Sequence, residues 1–314
     1  MDSLYPVISP YDQQYVSVGD RHELYVEQCG NPEGVPVLVL HGGPGGKCTP
    51  AMRRFFDPMA FRIILFDQRG CGRSKPVGSL EANTTQHLLA DIEHLRRVLG
   101  VERWVLFGGS WGSTLALLYA QAYPIRALHL VLRGVFLMTR EELEWLYGGG
   151  AAAFWPDAWD QFVQLIPEEE RSDVVAAYHR RLFSGDLTEE IRFGKAWFLW
   201  ETRLFWLRTD CSESEYPGWF ARNVSRMECH YFHNQGFIDE ERQILKRVQL
   251  LNNVGGTIVQ GRFDMICPPR AAAALAREWS NASLQIVDDA GHSETDPAIC
   301  HALVEATNQL RSAS

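Results

Sequence analysis

The feature that most constrains this 314-residue chain is Gly108-Gly109-Ser110-Trp111-Gly112, set between the apolar run Trp104–Phe107 and the apolar helical run Thr114–Ala122. A short run of Val, Leu and aromatic residues reads as a strand covered on both faces, and the run after it as a buried helix. A serine between the two stands in a tight strand-to-helix turn. The residues two positions away on each side must then be small enough for the backbone to pass, and here they are Gly108 and Gly112. The turn would leave the Ser110 hydroxyl at a helix start, where free N–H groups and the helix dipole favour developing negative charge. An incidental serine in a glycine-rich turn is the competing reading, so the assignment depends on what accompanies it.

The surrounding pattern alternates short apolar runs with turns and helical stretches, as βα units do. Strands are predicted at Tyr15–Val18, Glu23–Gln28, Val37–Leu40, Arg62–Phe66, Trp104–Phe107 and Leu128–Leu132, the first two as an antiparallel edge. Leu88, Leu89, Ile92, Leu95 and Leu99 mark an amphipathic helix over Asn83–Leu99, with Asn83 as its N-cap and Gly100 after its end. Beyond residue 137 the texture becomes helical through Glu141–Tyr147, Pro156–Arg181 and Leu187–Phe205. Strand character returns at Thr257–Gln260 and Leu284–Val287, with helices near Arg270–Trp279 and Pro297–Leu310. These elements predict an α/β chain of the α/β-hydrolase type. Its mostly parallel sheet would be built from 1–137 and 251–314, with a helical cap inserted over 138–250.

A hydroxyl is a poor nucleophile without a base, and in this fold the acid and the histidine follow the serine in that order. Asp264 lies just after the strand Thr257–Gln260, and His292 just after Leu284–Val287. Asp288 and Asp289 are too close to His292 in the chain to serve as well. Among the other nine histidines, which have weaker claims, His87 and His94 fall on the amphipathic helix, His179, His230 and His233 in the helical insert and His41 in the loop described next. That loop, His41-Gly42-Gly43-Pro44-Gly45, follows the strand Val37–Leu40, from which such folds supply an oxyanion donor; the backbone N–H groups of Gly43 and Trp111 are the candidates. A phosphate-binding reading of Gly46-Lys47 fails, because His41 stands where the first glycine would be and Cys48 replaces the Ser or Thr that would hold magnesium.

Composition narrows the partners. A net charge of −9 and the lack of any basic patch, short clusters such as Arg53-Arg54 being too small to count, argue against a nucleic-acid or anionic-membrane surface. The seven cysteines (29, 48, 71, 211, 229, 267 and 300) form no Cys-x-x-Cys pair and no zinc-type spacing, which predicts reduced thiols, no metal and no cofactor. The first residues lack a basic, then apolar, leader, so a cytoplasmic protein is expected. The uncharged stretch Trp104–Ile125 approaches membrane length, but its Gly, Ser, Gln and Pro residues fit a strand, turn and buried helix better.

With these residues in place, the sequence resembles the prolyl aminopeptidases (proline iminopeptidases) over nearly its whole length. The resemblance rests on His41–Gly46, Asp67-Gln68-Arg69-Gly70-Cys71-Gly72-Arg73-Ser74, Gly108–Leu117, Gly261-Arg262-Phe263-Asp264-Met265 and Gly291-His292-Ser293. It implies removal of a free N-terminal proline from small peptides through an acyl-enzyme, without metal. It further implies that Glu201 and Glu228 of the insert bind the terminal imino group and that Phe136 packs on the proline ring. Carboxylates beside an apolar slot would hold a cationic amine and reject the neutral nitrogen of an internal peptide bond. A broader aminopeptidase or an esterase is the rival within enzymes, and a binding module that has lost turnover the rival outside them.

Overall fold

The computed structural model describes residues 4–206 and 216–312. Cys211, counted above among the thiols, lies outside them. Eight strands form one sheet: β1 (Asp12–Ser17), β2 (Glu23–Gly30), β3 (Val35–Leu40), β4 (Phe61–Phe66), β5 (Trp104–Ser110), β6 (Ala127–Val135), β7 (Gly255–Gly261) and β8 (Ala282–Val287). Their order is β1-β2-β4-β3-β5-β6-β7-β8. β1 and β2 are the antiparallel edge, and from β4 to β8 every neighbouring pair is parallel.

Parallel strands need crossovers; helices α1 (Thr85–Val98), α2 (Trp111–Ala122) and α8 (Pro269–Glu278) lie in such connections, and with α9 (Pro297–Asn308), which follows the last strand, they cover the two faces. Side chains alternate between the faces. Leu38, Leu40 and Leu106 join the core under α1 and α2, whereas Val37, Val39 and Phe107 join the one under α9 with Phe55 and Leu303. Burial on both sides explains why these strands read as unbroken apolar runs.

Between β6 and β7 run α3 (Arg140–Tyr147), α4 (Pro156–Val163), α5 (Val174–Leu182), α6 (Leu187–Phe205) and α7 (Gly218–His233), with no strand among the described residues. The single helical stretch expected over Pro156–Arg181 is therefore two helices. Pro167, which has no N–H to donate and disfavours helix in the residue before it, separates them.

The cap of α1 also differs from expectation. Thr84, not Asn83, is the N-cap. The Asn83 side chain instead donates to the carbonyls of Arg69 (2.9 Å) and Ser79 (3.0 Å) and accepts from the Tyr231 hydroxyl at 2.7 Å. A buried amide that can bind three groups across the structure gains more there than from one capping bond.

Candidate active site

β5 runs three residues further than its apolar pattern and ends on Ser110, whose φ of 56° and ψ of −128° are strained for a residue with a side chain. A Cβ on Gly108 would clash with the Gly112 carbonyl, and one on Gly112 with the Leu40 carbonyl, so the turn admits only glycine at both. Ser113 holds the turn from behind: its hydroxyl donates to the Ser110 carbonyl at 2.6 Å and accepts from Phe136 N–H at 3.0 Å.

The loop after β3 lies against this turn. A Cβ on Gly42 would stand 3.3 Å from that of Ser110, and Gly43 has φ +113°, which favours glycine. Gln68 ties loop and elbow together, its amide donating to His41 O (2.9 Å) while its oxygen accepts the Trp111 indole N–H (3.1 Å). Asp67 accepts from Cys48 N–H at 2.8 Å and from Arg73 N–H and Nε at 2.9 Å each. The Asp67–Ser74 run thus acts as a brace for the glycine loop. The Trp111 ring is fully buried against Tyr231, with centroids 4.9 Å apart, so what this residue can offer the site is its backbone N–H.

Asp264 follows β7 and His292 follows β8. Both are 2% exposed, and the Asp264 oxygens lie 2.8 and 2.9 Å from His292 Nδ1. The carboxylate is held by Cys267 N–H (2.7 Å), Ile266 N–H (3.1 Å) and the Gln260 amide (3.1 Å). On the other side of the ring, Arg133 Nη1 stands 3.1 Å from Nε2. A guanidinium only donates, so Nε2 must be the accepting nitrogen and Nδ1 must carry the proton donated to Asp264. That is the tautomer a general base requires. Arg133 itself is buried, with Nη2 2.7 Å from Glu294 and Nε without a partner among the described residues. Sequence reasoning missed it, although a charge ending an apolar strand run was a visible signal.

α6 and α7 bring Glu201 and Glu228 together. They are close enough for each to bear on the other's ionisation, Glu201 accepts from the Tyr147 hydroxyl, and Glu228 accepts from Trp197 Nε1 at 3.0 Å. Burial raises both carboxyls above the usual range. For Glu228 the neighbouring Glu201 charge adds to burial and pushes it up furthest. Removal from water disfavours charge on either carboxyl, and a charge on one disfavours a charge on the other. Tyr147 stacks on Trp197 at 4.4 Å, and Phe136 meets Phe232 edge-on at 6.0 Å. Tyr147 and Trp197 were also missed; as aromatics on helical faces they read only as core.

A cavity of about 430 Å³ joins these parts, lined by Gly43, Ser110, Phe136, Glu201, Glu228 and His292 among others. The candidate nucleophile, base, loop, carboxylates and aromatic slot therefore open on one space, with Asp264 behind His292. Among the described residues no group of His, Cys, Asp and Glu is arranged to hold a metal ion.

Comparison with known proteins agrees in scale with this geometry. The alpha/beta hydrolase fold family matches residues 35–294. A proline iminopeptidase of Xylella fastidiosa is 50% identical over 99% of this chain and 100% of its own length. One of Arabidopsis thaliana is 47% identical over 98% of this chain and 82% of its own. The crystal structure of a proline iminopeptidase-related protein from Thermus thermophilus superposes with a TM-score of 0.60 at 25% identity, covering 96% of this chain and 98% of that one. With about half its residues shared with such proteins across nearly its full length, the chain belongs to the proline iminopeptidase family of the α/β-hydrolase fold.

Proposed function

We propose that the chain is a serine aminopeptidase that releases N-terminal proline from small peptides, with Ser110, His292 and Asp264 as its triad. The observation that carries the reading is that Glu201 and Glu228, two carboxyls raised by burial, open on the same cavity as Ser110. An esterase has no use for two carboxylates in an apolar pocket. A prolyl amine is a cation, and it supplies the charge that lets both ionise. Phe136 offers a face for the ring.

In this reading His292 Nε2 exchanges its contact with Arg133 for the Ser110 hydroxyl and takes its proton as Oγ bonds to the prolyl carbonyl carbon. The oxygen takes up negative charge against Gly43 and Trp111 N–H. Collapse breaks the C–N bond, His292 returns the proton to the leaving amine, and the prolyl ester on Ser110 remains. Water then adds to the ester carbonyl, giving a proton to His292; collapse breaks the C–Oγ bond, His292 returns the proton to Oγ, and proline leaves as the free acid. We assign residues 138–250 the role of a cap over this site. A cytoplasmic setting is proposed from the cysteine pattern; no helix among the described residues is long and apolar enough to cross a membrane.

Ser110→Ala should abolish turnover of proline-naphthylamide while leaving the circular dichroism spectrum intact. Retained turnover refutes the nucleophile. Hydrolysis of acetyl-proline-naphthylamide at a rate rivalling the free-amine substrate refutes the amine site.

A further inference from the structure

Six side chains that can carry charge line the catalytic cavity, and five of them are already engaged: Glu201 with Glu228, Arg133 with Glu294, and His292 with Asp264. The sixth is Lys47. It is exposed, and no carboxylate among the described residues comes within ion-pair distance of its Nζ; the contact it makes is with the Phe220 ring, 5.9 Å away. Its position is nonetheless well defined. Gly46 N–H bonds to Gly42 O at 3.2 Å, and Cys48, the next residue, is fixed through N–H to Asp67 (2.8 Å) and through Sγ to Phe66 O (3.2 Å). The root of Lys47 is therefore held four residues beyond Gly43, while its flexible stem and compact charge are free to swing.

Lys47 stands where the cavity opens. It also lines a neighbouring groove of about 440 Å³ that runs on toward Trp219 and Phe220. The hydroxyl-bearing residues Thr49, Ser293 and Thr295 line the same cavity. The space thus has carboxylates at its buried end and, at Lys47, a cation with no carboxylate partner among the described residues, the charge pattern of a zwitterion's receptor. If the amine is bound inside, the part of the peptide that departs must extend toward the mouth. Its C-terminal carboxylate lies roughly 4 Å from the scissile carbonyl carbon in a dipeptide and roughly 7 Å in a tripeptide, from standard backbone dimensions.

We propose that Lys47 pairs with the C-terminal carboxylate of the departing segment, which makes di- and tripeptides with a free proline amine and a free carboxyl the preferred substrate class. The inference rests on the aminopeptidase reading above and adds a second recognition point on the far side of the scissile bond.

The test compares kcat/KM for Pro-Gly and Pro-Gly-Gly with that for their C-terminal amides, in the full chain and in Lys47→Gln and Lys47→Glu, at low salt. Each ratio of acid to amide is internal to one protein, so altered folding or active fraction cancels. The wild-type chain should favour at least one acid over its amide by about two- to fivefold, the range of an exposed ion pair. Lys47→Gln should bring that ratio to about one, Lys47→Glu should reverse it, and 0.5 M NaCl should weaken it in the wild type alone. A wild-type ratio near one for both lengths, or one that Lys47→Gln leaves in place, overturns the proposal. If wild-type protein cleaves neither acids nor amides nor proline-naphthylamide, the aminopeptidase reading falls and this inference with it.

Discussion

Replacing Glu228 by Gln tests the amine site where the structure makes its strongest statement. Glu228 is 4% exposed, Trp197 donates to it, and burial together with the Glu201 charge holds its carboxyl well above the ordinary range. A bound ammonium gains a charge-assisted hydrogen bond from the ionised form, and such bonds contribute about 1.5–3 kcal/mol. At about 1.4 kcal/mol per decade, Glu228→Gln should lower kcat/KM for proline-naphthylamide by about 10- to 150-fold, mostly through KM. The pH dependence has a definite sign. A raised carboxyl keeps its proton to higher pH, so affinity for a cation should fall as pH drops through that raised value, by a decade per unit. Pyrrolidine isolates this effect. It remains a secondary ammonium throughout and has no bond to cleave, so its Ki between pH 5 and 9 reports the pair without the steps at His292. In Glu228→Gln the like-charge repulsion on Glu201 is gone and the acid limb of the Ki profile should move to lower pH. A flat wild-type profile, or a variant whose Ki stays within twofold at every pH, would refute the raised carboxyls as the amine site.

The same substitution should act on stability in the opposite sense. A carboxyl whose pKa is raised by folding stabilises the fold below its ordinary pKa and loses that contribution as pH rises through the raised value, so Glu228→Gln should show a higher Tm than wild type at pH 8 and a smaller gap at pH 5 by calorimetry. Asp264→Asn should lower kcat by about 10³- to 10⁴-fold, because an amide donor facing Nδ1 forces the proton onto Nε2; a loss below tenfold would count against the tautomer assigned here. Gly134 has φ +54°, and a Cβ there would lie 2.9 Å from His292 Cε1 and 3.1 Å from Asp264 Oδ2. Gly134→Ala should accordingly cost about 1–3 kcal/mol in urea unfolding and reduce kcat, with an unaltered kcat contradicting the tight support of the base.

What was legible in the sequence follows from where a group sits. The parallel sheet announces itself through apolar runs and glycine turns, and groups at the carboxyl ends of its strands inherit that regularity. Ser110, Asp264 and His292 could therefore be placed from order and strand context alone. Asn83 misled for the converse reason: a good capping residue beside a helix start is a local signal, and three distant partners outweighed it. The break at Pro167 was readable but was lost inside a long stretch of helical texture.

The groups proposed to recognise substrate have no such grammar. Glu201 and Glu228 lie on different helices, and nothing in their spacing says that α6 and α7 press them into one pocket; only family resemblance picked them out. Tyr147 and Trp197 were hidden by serving two ends, with rings stacked in the core and polar atoms aimed at the carboxylates. Arg133 shows the limit most clearly. It stands on a sheet strand, yet its meaning depends on His292 and Glu294, which arrive from far along the chain. Strand order can locate acid–base chemistry because the fold repeats it. Substrate choice depends on helix packing above the sheet, and that packing has to be seen in three dimensions.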